Sequence, residues 1–260
     1  MAVVDVNGAR LWYDEAGEGP TVLLLHGGLG DSGLWEPVVP FLAERFRTIR
    51  ADLRFFGRST GPAMPWSWQD DTIGVLDELG VERAALVGLS LGGRIALDVA
   101  LAHPDRLWAV VGVAPGLAGH DGAPYTEDQG ARYDTAEAEG DLDAAMAVDF
   151  EVWAPLGADD LIRQLWRATP DANPLPDGVE PLAPGGAPAK ERLGELAVPT
   201  LVVTAAHDPA GFREIGPLVE SAAPNARHIE LDSDHYVTLR EPELLSRTLL
   251  DFLTAASPQD

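Results

Sequence analysis

Gly88-Leu89-Ser90-Leu91-Gly92 sets a serine between glycines, where an apolar run meets a helical pattern. A G-x-S-x-G pentapeptide can carry a nucleophile when a strand leads into it and a helix leaves it, because the sharp turn lifts the serine side chain clear of the sheet. Here Ala84–Val87 is the expected strand and Leu91–Ala102 the expected helix, stopped by His103-Pro104. The flanking glycines, with Gly93, remove side chains that would clash in so tight a turn. A second glycine-rich loop, His26-Gly27-Gly28-Leu29-Gly30, follows the apolar run Thr21–Leu25. The backbone N–H groups of Gly28 and of Leu91, the residue after the serine, are the expected donors to a developing oxyanion. The chain has no cysteine, which excludes thiolate nucleophiles, disulfides and thiolate metal sites. Its one lysine, Lys190, stands in a Pro/Gly-rich stretch with nothing to desolvate it, which argues against Schiff-base chemistry. No pair of histidines has zinc spacing, so no metal site is expected.

A serine nucleophile needs a base, and the base needs a carboxylate to orient it. Asp208 follows the run Thr200–Val203, and His235 follows Ala226–Leu231. Both stand just beyond the C-terminal ends of strands, where sites form in parallel α/β sheets. The order Ser90…Asp208…His235 is one in which such a triad occurs. The other histidines fit other roles. His26 sits at the root of the glycine loop and is suited to hold it. His103 ends a helix, His120 opens an insertion, His207 precedes the acid, and His228 lies inside a strand.

The elements that must position these residues are readable along the chain. Val3–Val6 and Leu11–Tyr13 flank Asn7-Gly8, the signature of a hairpin. Further strands are expected at Thr21–Leu25, Thr48–Ala51, Ala84–Val87, Leu107–Val113, Thr200–Val203 and Ala226–Leu231. Helices are expected at Leu34–Phe46, Asp70–Leu79, Leu91–Ala102, Phe212–Ala222 and Pro242–Thr254. Alternation of this kind implies a mainly parallel sheet of eight strands with helices on both faces and an antiparallel hairpin at one edge. The rhythm breaks between Val113 and Val198. The expected organisation is a core of residues 1–118 and 191–260 interrupted by a helical cap of residues 119–190. Leu142, Met146, Phe150 and Trp153 recur at helical spacing there, as do Leu161, Leu165 and Trp166. Thr169–Pro188 reads as a loop returning to the sheet.

Charge narrows the partners. The 260 residues carry 42 acids against 18 bases, a net of −24. Nucleic acid and anionic membrane surfaces are poor partners for such a chain. Residues 121–160 alone hold twelve acids against Arg132, a net of −11. No apolar run is long enough to span a bilayer, and the N-terminus lacks a basic region followed by an apolar core, so a cytoplasmic protein is expected.

The chain resembles the α/β-hydrolase fold family over essentially its full length. The resemblance rests on His26-Gly27-Gly28, Asp52-Leu53-Arg54-Phe55-Phe56-Gly57-Arg58-Ser59, Gly88–Gly92, Val198-Pro199-Thr200 leading to His207-Asp208, and His235 followed by Glu241-Pro242. Within the family it is most similar to the 3-oxoadipate enol-lactonase and carboxylesterase-like group. The resemblance implies a cofactor-free serine hydrolase with Ser90 as nucleophile, His235 as base and Asp208 as its partner. The same triad would also serve a carbon–carbon bond hydrolase, a haloperoxidase or a cyclase or isomerase, and the same fold a small-molecule receptor. Three positions depart from the family. Phe55 stands where glycine is usual and puts an aromatic near the pocket. Ala205-Ala206-His207-Asp208 replaces Gly-Glu-x-Asp. Asp234 replaces the glycine before the base, and with Asp232 is expected to be a solvated loop acid. An enol-lactone carries a carboxylate, which an anionic cap disfavours; Arg94, Arg132, Arg163 and Arg167 are the cations that could offset it. A neutral or apolar ester or lactone is therefore expected, with Met146, Phe150 and Trp153 either roofing the site or packing the cap helix on the core.

Overall fold

The computed structural model describes residues 2–62, 64–170, 181–182 and 185–258. Eight strands form one sheet: β1 (Ala2–Val6), β2 (Ala9–Ala16), β3 (Thr21–Leu25), β4 (Arg47–Ala51), β5 (Ala84–Leu89), β6 (Leu107–Val113), β7 (Thr200–Ala205) and β8 (Ala226–Leu231). Their spatial order is β1-β2-β4-β3-β5-β6-β7-β8. β1 and β2 pair antiparallel, as do β2 and β4, and every other pair is parallel. The hairpin turns at Asn7 and Gly8, with φ of 48° and 78°. Two successive positive φ values give the turn whose twist matches that of the strands.

The parallel strands β3, β5, β6 and β7 are buried along their whole length because both faces are covered. The period of two then sorts residues between two cores. Val22, Leu24, Val87, Val111 and Val203 face the helix α7 (Pro242–Ala256) through Leu245, Leu249 and Leu253. Leu23, Leu25, Leu86, Val110 and Val202 face the other layer. That layer contains Val75 of α1 (Trp68–Glu78), Ile95 and Val99 of α2 (Leu91–Ala102), and Val219 of α6 (Ile215–Ala222). The strand order reverses beside β3, so the loops after β3 and β5 open at the sheet's switch point, where α/β proteins build ligand crevices.

Between β6 and β7 lie α3 (Glu127–Glu139), α4 (Leu142–Trp153) and α5 (Asp160–Trp166). Met146, Phe150, Trp153, Ile162, Leu165 and Trp166 join the core on the α7 side of the sheet. α3 has no apolar stripe, since only Ala136 is buried, and periodicity does not reveal it. Its start is nevertheless written in the sequence as a capping box: Thr126 and Gln129 each accept from the other's backbone N–H.

Two helices differ from expectation. Leu34–Phe46 is not one helix but a 3₁₀ turn, Ser32–Trp35, and a single α turn, Val39–Leu42. Pro37 and Pro40 lack the N–H groups that a continuous helix needs. Phe212–Ala222 divides into a turn at Ala210–Arg213 and α6. Most of the Thr169–Pro188 loop lies outside the described residues. No helix among the described residues is long and apolar enough to cross a membrane.

Candidate active site

Ser90 sits in the one-residue corner between β5 and α2 with φ 53° and ψ −110°, a strained backbone for any residue but glycine. Backbone bonds over-determine the corner. The Ser90 N–H donates to Val113 O at 2.9 Å, and Ser90 O accepts from Arg94 N at 2.9 Å. A Cβ on Gly88 would fall 2.1 Å from Gly92 O, and one on Gly92 2.3 Å from Leu25 O, so neither position admits a side chain. Gly92 N donates to His26 O at 3.1 Å, which ties the corner to the loop after β3. There the two loops come close enough that a Cβ on Gly27 would lie 3.2 Å from Ser90 Cβ. The N–H of Leu91, first residue of α2, has no acceptor within its helix. Among the described residues the Gly28 N–H meets no backbone acceptor.

His26 is wholly buried. Its Nε2 accepts from Leu53 N at 2.9 Å, so Nδ1 carries the proton and donates to Gly27 O at 2.8 Å. Burial holds its pKa below the usual histidine range, against the pull of Asp52. It is a neutral brace between the loops after β3 and β4.

On the far side of β6, the loops after β7 and β8 are laced together. Ala206 N donates to Leu231 O at 2.9 Å and His207 N to Ser233 O at 3.0 Å. This brings Asp208 Oδ2 to 2.9 Å from His235 Nδ1, both residues being buried. A carboxylate only accepts, so Nδ1 donates, and in the neutral imidazole Nε2 is then the lone-pair nitrogen. The His235 ring lies 4.4 Å from that of Trp153 and 5.5 Å from that of Phe212, centroid to centroid. Its N–H donates to Trp153 O at 3.2 Å.

The two neighbouring acids divide. Asp232 is exposed and meets His207 Nε2 at 2.8 Å. Asp234, expected to be solvated, is fully buried. Its Oδ1 accepts from Arg240 Nε at 3.2 Å and Tyr236 N at 3.2 Å, and its Oδ2 from Arg240 Nη2 at 3.0 Å and Leu156 N at 3.3 Å. Arg240 Nη2 also donates to Gly157 O. Asp234 thus clamps the segment after α4 to the His235 loop, and its partners turn it away from the imidazole.

The expected pocket residues scatter. Trp153 lies against His235 with the two rings tilted by 47°. Met146 and Phe150 are buried in the packing of the insertion on the sheet, and the guanidinium of Arg163 stands 5.4 Å over the Phe150 ring. Phe55 has φ 69°, which explains why glycine is usual there, and packs edge-on against Trp66 at 4.9 Å. Phe212 was not singled out from the sequence; its only local signal is an aromatic one turn past Asp208. The cations of the region are engaged elsewhere. Arg132 holds Glu151 through two bonds of 2.8 and 2.7 Å, Arg167 holds Asp143 at 2.7 Å, and Arg94 lies 3.9 Å from Asp98. A cavity of about 500 Å³ is lined by Arg94, Asp98, His103 and Arg192; neither Ser90 nor His235 lines it.

Against known proteins, the pattern described as the alpha/beta hydrolase fold matches residues 20–242. A 2-(acetamidomethylene)succinate hydrolase of Mesorhizobium japonicum is 29% identical, over 97% of this chain and 94% of its own. A 2-hydroxy-6-oxononadienedioate/2-hydroxy-6-oxononatrienedioate hydrolase of Comamonas testosteroni is 28% identical, over 94% of this chain and 91% of its own. The crystal structure of an enol-lactonase from Burkholderia xenovorans superposes with a TM-score of 0.77 at 26% identity, covering 97% of this chain and 100% of that one.

Proposed function

The chain belongs to the alpha/beta-hydrolase fold family, and on that premise we propose that it is a cofactor-free serine hydrolase of carboxylic esters or lactones. The observation that carries the reading is the buried Asp208–His235 pair, held at 2.9 Å on the same sheet edge as the strained Ser90 corner. Ser90 Oγ attacks the carbonyl carbon while His235 Nε2 takes its proton, and Asp208 stabilises the imidazolium that forms. The N–H groups of Gly28 and Leu91 hold the oxyanion. Collapse expels the alkoxide, which takes the proton from His235. Water, deprotonated by the same nitrogen, then cleaves the acyl-enzyme and restores Ser90.

A neutral or apolar substrate fits the charge distribution. The Mesorhizobium relative acts on a succinate, which is anionic. In this chain Arg132 and Arg167 are bonded to acids, Arg94 lies 3.9 Å from Asp98 and Arg163 stands over an aromatic ring, which supports a substrate without a carboxylate. The walls around His235 are the rings of Trp153 and Phe212. Carbon–carbon bond hydrolysis by the same triad is the second reading, favoured by the Comamonas relative.

Turnover of neutral aryl esters, with a fluorophosphonate reagent labelling Ser90, is the expected result. Ser90→Ala should lose at least ~10⁴-fold in activity, and all labelling, while remaining folded. Labelling at another serine, or full activity in the variant, would overturn the assignment. A dienedioate cleaved faster than any ester would favour the second reading.

A further inference from the structure

α4 carries a buried acid that the hydrolytic steps do not use. Asp149 is almost fully buried, and its two oxygens accept from neutral donors: Oδ1 from the Tyr125 hydroxyl at 2.5 Å, and Oδ2 from the Trp166 indole N–H at 2.6 Å. Tyr125 Oη in turn accepts from the Trp153 indole N–H at 3.2 Å. An indole only donates and a phenol has one proton to give, so the chain runs one way, from Trp153 through Tyr125 to Asp149. Trp153 follows Asp149 by four residues on the same helix face. Its ring covers His235 at 4.4 Å, its carbonyl takes the His235 N–H, and Phe212 stands edge-on to both rings.

This acid is a costly way to fill space. Burial pushes the Asp149 carboxyl above the ordinary range, against the pull of Tyr125 and Trp166. The buried Tyr236 hydroxyl, without a partner among the described residues, feels the same charge. An apolar side chain would pack there at less cost. What the carboxylate adds is direction: it fixes the phenol, and the phenol fixes the indole.

We propose that Asp149, acting through Tyr125 and Trp153, is a positioning residue for His235, a proposal that rests on His235 being the base of the serine hydrolase. An imidazole held by Asp208 at Nδ1, by Trp153 O at its backbone and by the neighbouring rings of Trp153 and Phe212 keeps Nε2 in one direction. The charged groups around it are Asp208 from the β7 loop and, behind Trp153, Asp149. Asp232 and Asp234 on its own loop are turned to His207 and Arg240.

The test is the rate of Ser90 labelling by a fluorophosphonate, followed across the pH range in which a histidine titrates. It uses the whole protein, well below its unfolding temperature. Tyr125→Phe deletes one hydroxyl and keeps the ring. It should slow labelling about tenfold, within the ~10² that a displacement of ~1 Å can cost. It should also move the pH midpoint upward, because a loosened indole admits water that solvates the imidazolium. Asp149→Asn should slow labelling similarly, because its one amide oxygen cannot accept from both Tyr125 and Trp166. If both variants label at the wild-type rate with the wild-type midpoint, whatever their Tm, the proposal fails and the network only packs. Should Asp149→Asn not fold, Tyr125→Phe decides alone. A wild-type protein that is not labelled at Ser90 overturns the hydrolase reading instead, which keeps the two failures apart.

Discussion

Around Ser90 the restraints are backbone. The N–H of the serine is tied to β6 and its carbonyl to α2, glycines at 88 and 92 admit close backbone contact, and the next loop is joined through Gly92 N and His26 O. Around His235 the restraints are mostly side chains from distant parts of the chain. Asp208 comes from the β7 loop, Phe212 from the turn after it, and Trp153 from the insertion, while Asp234 and Arg240 fasten residues 156 and 157 beside it. Ser90 therefore stands on the sheet alone, whereas His235 stands on the sheet and the insertion together. A change in the insertion should leave the Ser90 corner intact and still lower its reactivity, through the base.

The contrast is sharpest at Asp208. Asp208→Asn should keep the Ser90 corner and the fold, yet cost on the order of 10⁴ in kcat, because an amide can present its N–H to Nδ1 and impose the wrong tautomer. Steady-state kinetics on an ester substrate checks this. A loss under tenfold there, with a large loss for Asp234→Asn, would move the carboxylate role to the base's own loop. The expected result for Asp234→Asn is different in kind. It breaks a buried pair whose arginine is partly exposed, so stability should fall by about 1–3 kcal/mol while kcat changes less than tenfold. Urea unfolding measures the first and kinetics the second.

The smallest effect expected concerns the brace at the other end of the site. Burial lowers the pKa of His26 in the folded protein relative to ~6.5 in the unfolded chain. The unfolded chain therefore binds the proton more readily. The stability His26 contributes is full above ~6.5 and is lost as pH falls from there through the lowered folded value. Tm should drop more steeply below that pH in the wild type than in His26→Gln, which keeps an acceptor for Leu53 N–H and cannot charge. Parallel Tm curves for the two proteins would show that His26 does not carry this part of the acid sensitivity.

The sheet and the strand-to-helix corner at Ser90 were legible in the sequence because each depends on short-range rules. A period of two or 3.6 residues, a glycine beside a serine, a run of β-branched residues and a stop at His103-Pro104 act over a few positions, and β5, α2 and β6 formed where those rules put them. The helix expected at 34–46 failed by the same rules, through Pro37 and Pro40, and α3 was announced by its capping box rather than by any stripe. Tertiary structure alone decided the rest. Asp232 and Asp234 stand two apart in one polar turn, and nothing local separates them. One is exposed and meets His207, and the other is buried against Arg240 of the following helical turn and the backbone of the insertion. Trp153 and His235 are remote in the chain, and so are Tyr125 and Asp149 from the serine they bear upon. Composition and spacing can place an aromatic on a buried face. Which ring or acid it meets there is set by how distant elements pack.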